Sequence, residues 1–287
     1  MLNRAIPIAG SLSLAVAVLG GCSLAPPAAV VQKVDIPPAI ERSADVRLTM
    51  DSGDIRLAGA AAGLVEGTLT YPGSDGKPLV SAGSRESTEG KVATVEIRQG
   101  RPAPATSGDR LIDLRLNGGL PMDLAVVEHS GDAALDLSLV DARDLRIETD
   151  SGDTAVKLSG PHPSLSHVSF VSRSGETSIA ANGEYPAIER FDVESASGGV
   201  RLDLGGTWKK DFTVRVRAAS GNVTLVLPRE VGVRVVGAPV SGAVSAEGFT
   251  RTGGEWTRRS DKPSDFTLTV EVTLASGDLV LKEAAKK

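Results

Sequence analysis

A Ser-Gly dipeptide that returns at nearly constant spacing is the strongest constraint on the fold of this 287-residue chain. One further copy, Ser159-Gly160, is out of phase and is set aside; from Ser107 onward the steps between the other copies are 23, 21, 23, 23, 23, 21 and 35 residues. A fixed period in the twenties is typical of repeat proteins, in which each unit buries its apolar face by stacking on the next. The serines are Ser52, Ser107, Ser130, Ser151, Ser174, Ser197, Ser220, Ser241 and Ser276.

The residues on both sides of each Ser-Gly alternate between apolar and polar. Around Ser220, for example, Val214 and Val216 precede the turn and Leu225 and Leu227 follow it. Period-two alternation predicts strand, turn, strand, with Val193, Val214 and Val216 pointing inward. The two strands of a unit could pair as a hairpin or face each other across a solenoid interior. The regular step and the near-absence of helical patterning favour the solenoid.

We therefore predict an all-β fold, a single β-solenoid of eight or nine rungs that is on the order of 40 Å long at ~4.8 Å per rung. Residues 46–105 are interpreted as an irregular first β segment that caps the stack. Residues 106–283 form the repeats, with an insertion at 249–264 in the 35-residue step. The unit around Ser276 is expected to close the far end, and glycines such as Gly152, Gly175 and Gly198 are expected at positive φ.

Two copies of the dipeptide, at Asp51 and Asp150, read Asp-Ser-Gly, the triplet that carries the catalytic carboxylate of aspartic proteases. Elsewhere the residue before the serine is Ala, Arg, His, Thr or Val. A catalytic carboxylate cannot be exchanged for alanine, and aspartic proteases need two carboxylates face to face. Asp51 and Asp150 are therefore interpreted as turn residues.

The N-terminus has the pattern of an export signal. Residues 1–21 carry one charge, Arg4, then an apolar stretch and small residues, and this stretch is too short for a spanning helix. Leu19-Gly20-Gly21-Cys22 resembles the lipobox of bacterial lipoproteins, which implies acylation of Cys22, the only cysteine. Residues 22–45, with four prolines, are interpreted as a semi-rigid tether. We expect a lipid-anchored protein on the cell membrane or the outer membrane, facing outside the cytoplasm.

Acidic residues recur two positions after the serine, as Asp109, Asp132, Asp153 and Glu176. If the rungs stack in register, these four carboxylates line one edge at roughly 5 Å spacing. Solvated, turn-forming carboxylates are the first interpretation of this acidic edge, and weak cation binding is the alternative.

The formal net charge of −5 argues against a nucleic-acid binder.

The insertion 249–264 is basic within an acidic chain, and it carries one of the two tryptophans. Loops that interrupt a rigid scaffold often carry binding residues, and Trp with Arg suits sugars and anionic groups. The candidate contact residues are Arg251, Trp256, Arg258 and Arg259. The alternative is that Trp256 covers the end of the solenoid.

The sequence contains no nucleophile-elbow, phosphate-loop or zinc-protease motif, and no cofactor is expected. His129, His162 and His167 are interpreted as solvated loop residues and not as a zinc site, because His162 and His167 lie five apart in a proline-containing loop.

The register of the repeats, together with "AGLVEGTLTYPG" (62–73) and "LPMDLAVVEHSGDAALDL" (120–137), resembles the toast-rack β-repeat family of adhesin-like proteins over residues 46–283. It also resembles the C-terminal β domains of membrane proteins that respond to cell-wall antibiotics. The resemblance implies a β-solenoid in the cell envelope and carries no catalytic or cofactor residues. Many relatives lie behind transmembrane helices, whereas this chain relies on Cys22.

The function that follows is that of a non-enzymatic scaffold or binding module, held to the membrane through Cys22. Its partner would be an envelope protein, an anionic glycan or a neighbouring copy. The alternative is an envelope glycan-active enzyme on a β-helix, which would need a cluster of acids, or Lys/Arg with bound calcium, in a groove.

Overall fold

The computed structural model describes residues 28–101 and 109–285, which form 24 β-strands and no helix. Eleven strands make sheet A and thirteen make sheet B. The strands of sheet A are β1 (Ala29–Ile36), β3 (Asp54–Ala58), β4 (Val65–Pro72), β7 (Leu111–Leu116), β9 (Ala133–Asp136), β11 (Thr154–Lys157), β13 (Thr177–Ala180), β15 (Val200–Asp203), β17 (Val223–Leu227), β20 (Val244–Ala246) and β24 (Leu279–Glu283). Those of sheet B are β2 (Ser43–Met50), β5 (Leu79–Ser87), β6 (Gly90–Arg98), β8 (Met122–Glu128), β10 (Ala142–Thr149), β12 (His167–Ser172), β14 (Arg190–Ser195), β16 (Phe212–Ser220), β18 (Gly232–Val236), β19 (Pro239–Ser241), β21 (Thr250–Thr252), β22 (Glu255–Arg258) and β23 (Thr267–Ser276).

Each rung consists of one strand in sheet B, a Ser-Gly turn and one strand in sheet A. In the Ser174 rung, β12 pairs in parallel with β10 and β14, and β13 pairs in parallel with β11 and β15. The two strands of the rung therefore belong to different sheets and do not pair with each other. This confirms the all-β solenoid and decides against the hairpin.

The interior is filled by the alternating apolar residues, which form one continuous core between the sheets. Val193, Val214 and Val216 are fully buried, as predicted. The register aligns Val193 with Val216 and Phe170 across β12, β14 and β16, so equivalent residues of successive rungs stack on each other. With this packing, the inner faces of the two sheets bury each other, and each rung is covered on both sides by its neighbours.

The order of the rungs differs from the order of the sequence at both ends. The rung of β2 and β3, with Ser52 in its turn, lies between the rung of β6 and β7 and that of β8 and β9. Residues 43–58 are thus a regular rung and not part of an irregular cap. The Ser276 rung, β23 and β24, lies between the Ser220 rung and β18–β20. The prediction that it closes the far end is therefore wrong.

The folded domain also begins earlier in the sequence than predicted. Residues 29–36, expected in the tether, form β1, which pairs antiparallel with β4 at the edge of sheet A. Gln32, Val34 and Ile36 face the interior from this strand, and that burial explains why the segment folds onto the stack. Within the described ranges, no helix has the length and apolarity to cross a membrane.

The connections that return from sheet A to sheet B carry an aromatic ladder. His162, Tyr185 and Trp208 recur every 23 residues. The His162 and Tyr185 rings stack with centroids 5.6 Å apart, and the Tyr185 and Trp208 rings are tilted by 31° with centroids 5.0 Å apart. The prediction of a solvated His162 is therefore wrong, because its side chain is fully buried against Tyr185. Burial lowers the pKa of His162, so its neutral form is the one that packs. His129 and His167 remain partly exposed.

Candidate functional site

The edge formed by the Ser-Gly turns is built on a ladder of glycines. Gly152, Gly175 and Gly198 have φ of 109°, 102° and 101°, as predicted. A Cβ on Gly175 would lie 2.0 Å from the carbonyl oxygen of Gly152, and one on Gly198 would lie equally close to that of Gly175. Glycine is therefore required twice, by its backbone conformation and by the close approach of the next rung. The serine before it meets neither requirement.

The residues before the serines form a column along this edge, and in it Asp150 is held by its neighbours. The Asp150 carboxylate is 2.6 Å from Nδ1 of His129 in one adjacent rung and accepts a bond from Arg173 in the other. Asp51 lies one rung beyond His129 in the same column, on the same side of the molecule. Both aspartates are thus turn residues in a linear column, unlike two carboxylates that face each other across a cleft.

The predicted acidic edge is present, but its carboxylates accept hydrogen bonds from backbone amides. The side chain of Asp132 accepts a hydrogen bond from the amide of Asp153 at 2.8 Å, and that of Asp153 accepts one from the amide of Glu176 at 2.9 Å. Glu176 does the same for the amide of Gly199. Such bonds satisfy amides at the turn, where the ladder of the sheet is interrupted.

Asp109 does not belong to this edge, and Asp54 takes its place. The register sets Asp54 opposite Leu111, two residues beyond Asp109. The carboxylate of Asp54 accepts a hydrogen bond from the amide of Asp132 at 3.1 Å. Asp54 has the same offset from its serine as Asp132 does, so the signal was present in the sequence. Across residues 28–101 and 109–285, no group of three or more His, Cys, Asp or Glu side chains is placed to hold a metal ion.

One titratable residue that the repeat pattern did not single out lies inside the solenoid. Glu128 ends β8 on the same face as Leu124 and Val126, and it is 1% exposed. Burial, with smaller contributions from Asp132 and Asp54, raises the pKa of Glu128 to about 8, although the Ser130 amide partly offsets this. The carboxyl group is therefore mostly protonated at neutral pH.

The insertion 249–264 forms the hairpin of β21 and β22, which extends sheet B at the C-terminal end. Trp256 is only 4% exposed and belongs to the core, opposite Val235. Arg258 is also buried: it bonds to the Pro228 carbonyl at 2.8 Å and to Asp261 at 2.9 Å. These two candidates cover the end of the solenoid, so their side chains are not placed for a partner.

Two of the four candidate contact residues remain accessible. Arg251 is exposed and lies over the Trp256 ring at 5.2 Å. Arg259 is exposed, and its guanidinium makes no ion pair within the described part of the chain. The other basic residue of the insertion, Lys262, pairs with Glu230. The structure thus narrows the candidate contact surface to Arg251 and Arg259.

Cys22, the predicted lipidation site, lies outside the described residues.

Comparison with known proteins found similar solved structures and a matching family model. A "putative cell adhesion protein" from Clostridium sporogenes is 17% identical, with a TM-score of 0.45 over 90% of this chain and all of that one. A "putative adhesin" from Bacteroides fragilis is 10% identical, with a TM-score of 0.29 over 90% of this chain and 97% of that one. No curated protein matches. The family model described as the N-terminal domain of toast_rack, DUF2154, matches residues 28–180, just over half of the chain. The chain therefore belongs to the toast-rack family.

Proposed function

We propose that this protein is an exported, lipid-anchored, non-enzymatic scaffold or adhesin-like binding module of the cell envelope. The lipobox at Cys22 supports the anchor and the position outside the cytoplasm. The contacts of the polar residues at the Ser-Gly turns support the absence of a catalytic site. Asp150, Asp132, Asp153 and Glu176 are all engaged with neighbouring rungs. Such contacts build a surface and do not leave a poised acid and base.

The observation that carries the binding role is the exposure of Arg251 and Arg259 on the hairpin that ends the stack. The regular rungs present repetitive faces, whereas this hairpin is irregular and rigidly seated through Trp256 and Arg258. Guanidinium groups on a rigid support suit carboxylates and phosphates. The partner we propose is an anionic component of the envelope, with anionic glycan as the first candidate.

We expect the double variant Arg251→Ser/Arg259→Ser to weaken binding to isolated anionic cell-wall glycan by on the order of tenfold, since each exposed contact contributes up to about 1 kcal/mol. Binding of the unchanged protein should also fall with salt, because exposed charges are screened over about 8–10 Å near physiological ionic strength. Co-sedimentation with the glycan at several salt concentrations measures both effects.

The matched control is Arg56→Ser/Arg201→Ser, which removes two exposed arginines from regular rungs of sheet A. It changes the net charge equally and should leave binding within about twofold, because it spares the hairpin. Equal losses in both double variants would mean that only net charge matters. Unchanged binding in both would make the hairpin a lid alone.

A further inference from the structure

The N-terminal end of the solenoid lies close to the predicted lipid attachment site. Six residues, 23–28, separate Cys22 from the start of β1 at Ala29. Even fully extended, they reach at most about 22 Å. β1 is the edge strand of sheet A, and β20, at the other edge, is ten strand spacings away, or about 48 Å. A lipid on Cys22 would therefore keep the β1 end of the stack near the membrane, whereas the tether does not hold the β20 end there.

The same end exposes large apolar side chains. Ile40, in the connection between β1 and β2, is 97% exposed, and Leu79, at the start of edge strand β5, is 66% exposed. Val31 of β1 is 48% exposed. Exposed apolar residues are common on proteins, and Leu139, Val240 and Phe266 are exposed in other parts of the stack. The three at this end differ from them in lying on the elements nearest the tether. In the interfacial region of a bilayer they would lose contact with water.

The distribution of charge favours the same orientation. Residues 28–101 carry 9 Lys and Arg against 10 Asp and Glu, so this part is nearly neutral. Residues 109–285 carry 19 Lys and Arg against 26 Asp and Glu, a net charge of −7. A bilayer that contains anionic lipid such as phosphatidylglycerol has a negative surface. Such a surface repels the acidic rungs and hardly affects the N-terminal end.

We infer that the N-terminal end of the solenoid rests on the lipid surface, with Ile40 and Leu79 at the interface, while the β21–β22 hairpin points away from it. This inference rests on the proposed lipidation of Cys22. It places Arg251 and Arg259 at the end that is free to meet a partner. The acidic rungs between the two ends then act as a spacer.

The test uses the full-length lipidated protein in vesicles of phosphatidylethanolamine and phosphatidylglycerol that contain lipids with a nitroxide headgroup. Ile40→Cys and Leu79→Cys are labelled with a fluorophore and compared with Val240→Cys, whose parent side chain is 88% exposed at the opposite end. The acylated Cys22 offers no competing thiol. We expect the nitroxide to quench the labels at 40 and 79 several-fold more than the label at 240.

Flotation of the labelled proteins with the vesicles is measured in parallel. Proteins that fail to float would refute the lipid anchor, and the orientation with it. Proteins that float but are quenched equally at all three positions lie flat on the bilayer, which would overturn the orientation alone. Strongest quenching at 240 would reverse it.

Discussion

Gly175→Val is expected to destabilise the solenoid by about 3 kcal/mol or more, whereas Ser174→Ala should change stability by no more than about 0.5 kcal/mol. Valine is β-branched and cannot adopt φ of 102° without strain, and its Cβ would lie 2.0 Å from the Gly152 carbonyl oxygen. Relief requires two rungs to move apart, which breaks the packing on both sides. Ser174 is exposed, and its replacement removes a hydroxyl group from the surface.

Urea unfolding followed by circular dichroism measures the two variants against the unchanged protein. A lower midpoint for Gly175→Val alone is the expected result. Equal tolerance of both substitutions would contradict the glycine ladder, because it would mean that the turn accepts a side chain at either position.

Glu128→Gln should stabilise the protein at pH 8 and flatten the pH dependence of its unfolding. The folded pKa of Glu128 is raised to about 8 from an ordinary value of 4.5. Between these values the folded state holds a proton that the unfolded state releases, so the free energy of unfolding falls as pH rises. The slope is at most about 1.4 kcal/mol per pH unit, and it vanishes above the folded pKa.

The window from pH 6.5 to pH 8 isolates this effect. The lowered pKa of buried His162 acts in the opposite direction, since it makes stability fall as pH drops below about 6.5. The matched control is Glu148→Gln, at a partly exposed position on the neighbouring strand β10. If unfolding midpoints show the same pH slope in the unchanged protein and in Glu128→Gln, Glu128 does not carry the buried proton.

The repeat phase could be predicted from the sequence, but the order of the rungs could not. Apolar residues at fixed distances from each Ser-Gly determine which side chains face inward, and Val193, Val214 and Val216 do so. The same phase holds for every rung, so it does not distinguish between neighbours. Parallel pairing lets the Ser52 and Ser276 rungs insert between others without altering a single inward residue. Only the contacts themselves fix that order.

The errors at the candidate site have a related origin. The composition of residues 249–264 groups Arg258 and Trp256 with Arg251, although period-two alternation on β22 directs both into the core. The position of His162 in a connection between rungs predicts a solvated side chain, whereas its 23-residue spacing to Tyr185 and Trp208 matches the observed ring contacts. Asp109 has the predicted offset from Ser107, but the register of β7 places Leu111, and not Asp109, opposite Asp54. In each case the neighbouring rung decides the environment, and a single repeat does not contain that information.

The central proposal, a lipid-anchored envelope module, is tested most directly by the mass of the N-terminal peptide of the protein extracted from membranes. We predict a mature chain that lacks residues 1–21 and begins at an acylated Cys22. A Cys22→Ser variant should carry no acyl group at this position. Recovery of a membrane-extracted chain that retains residues 1–21, or that has an unmodified Cys22, would contradict the account.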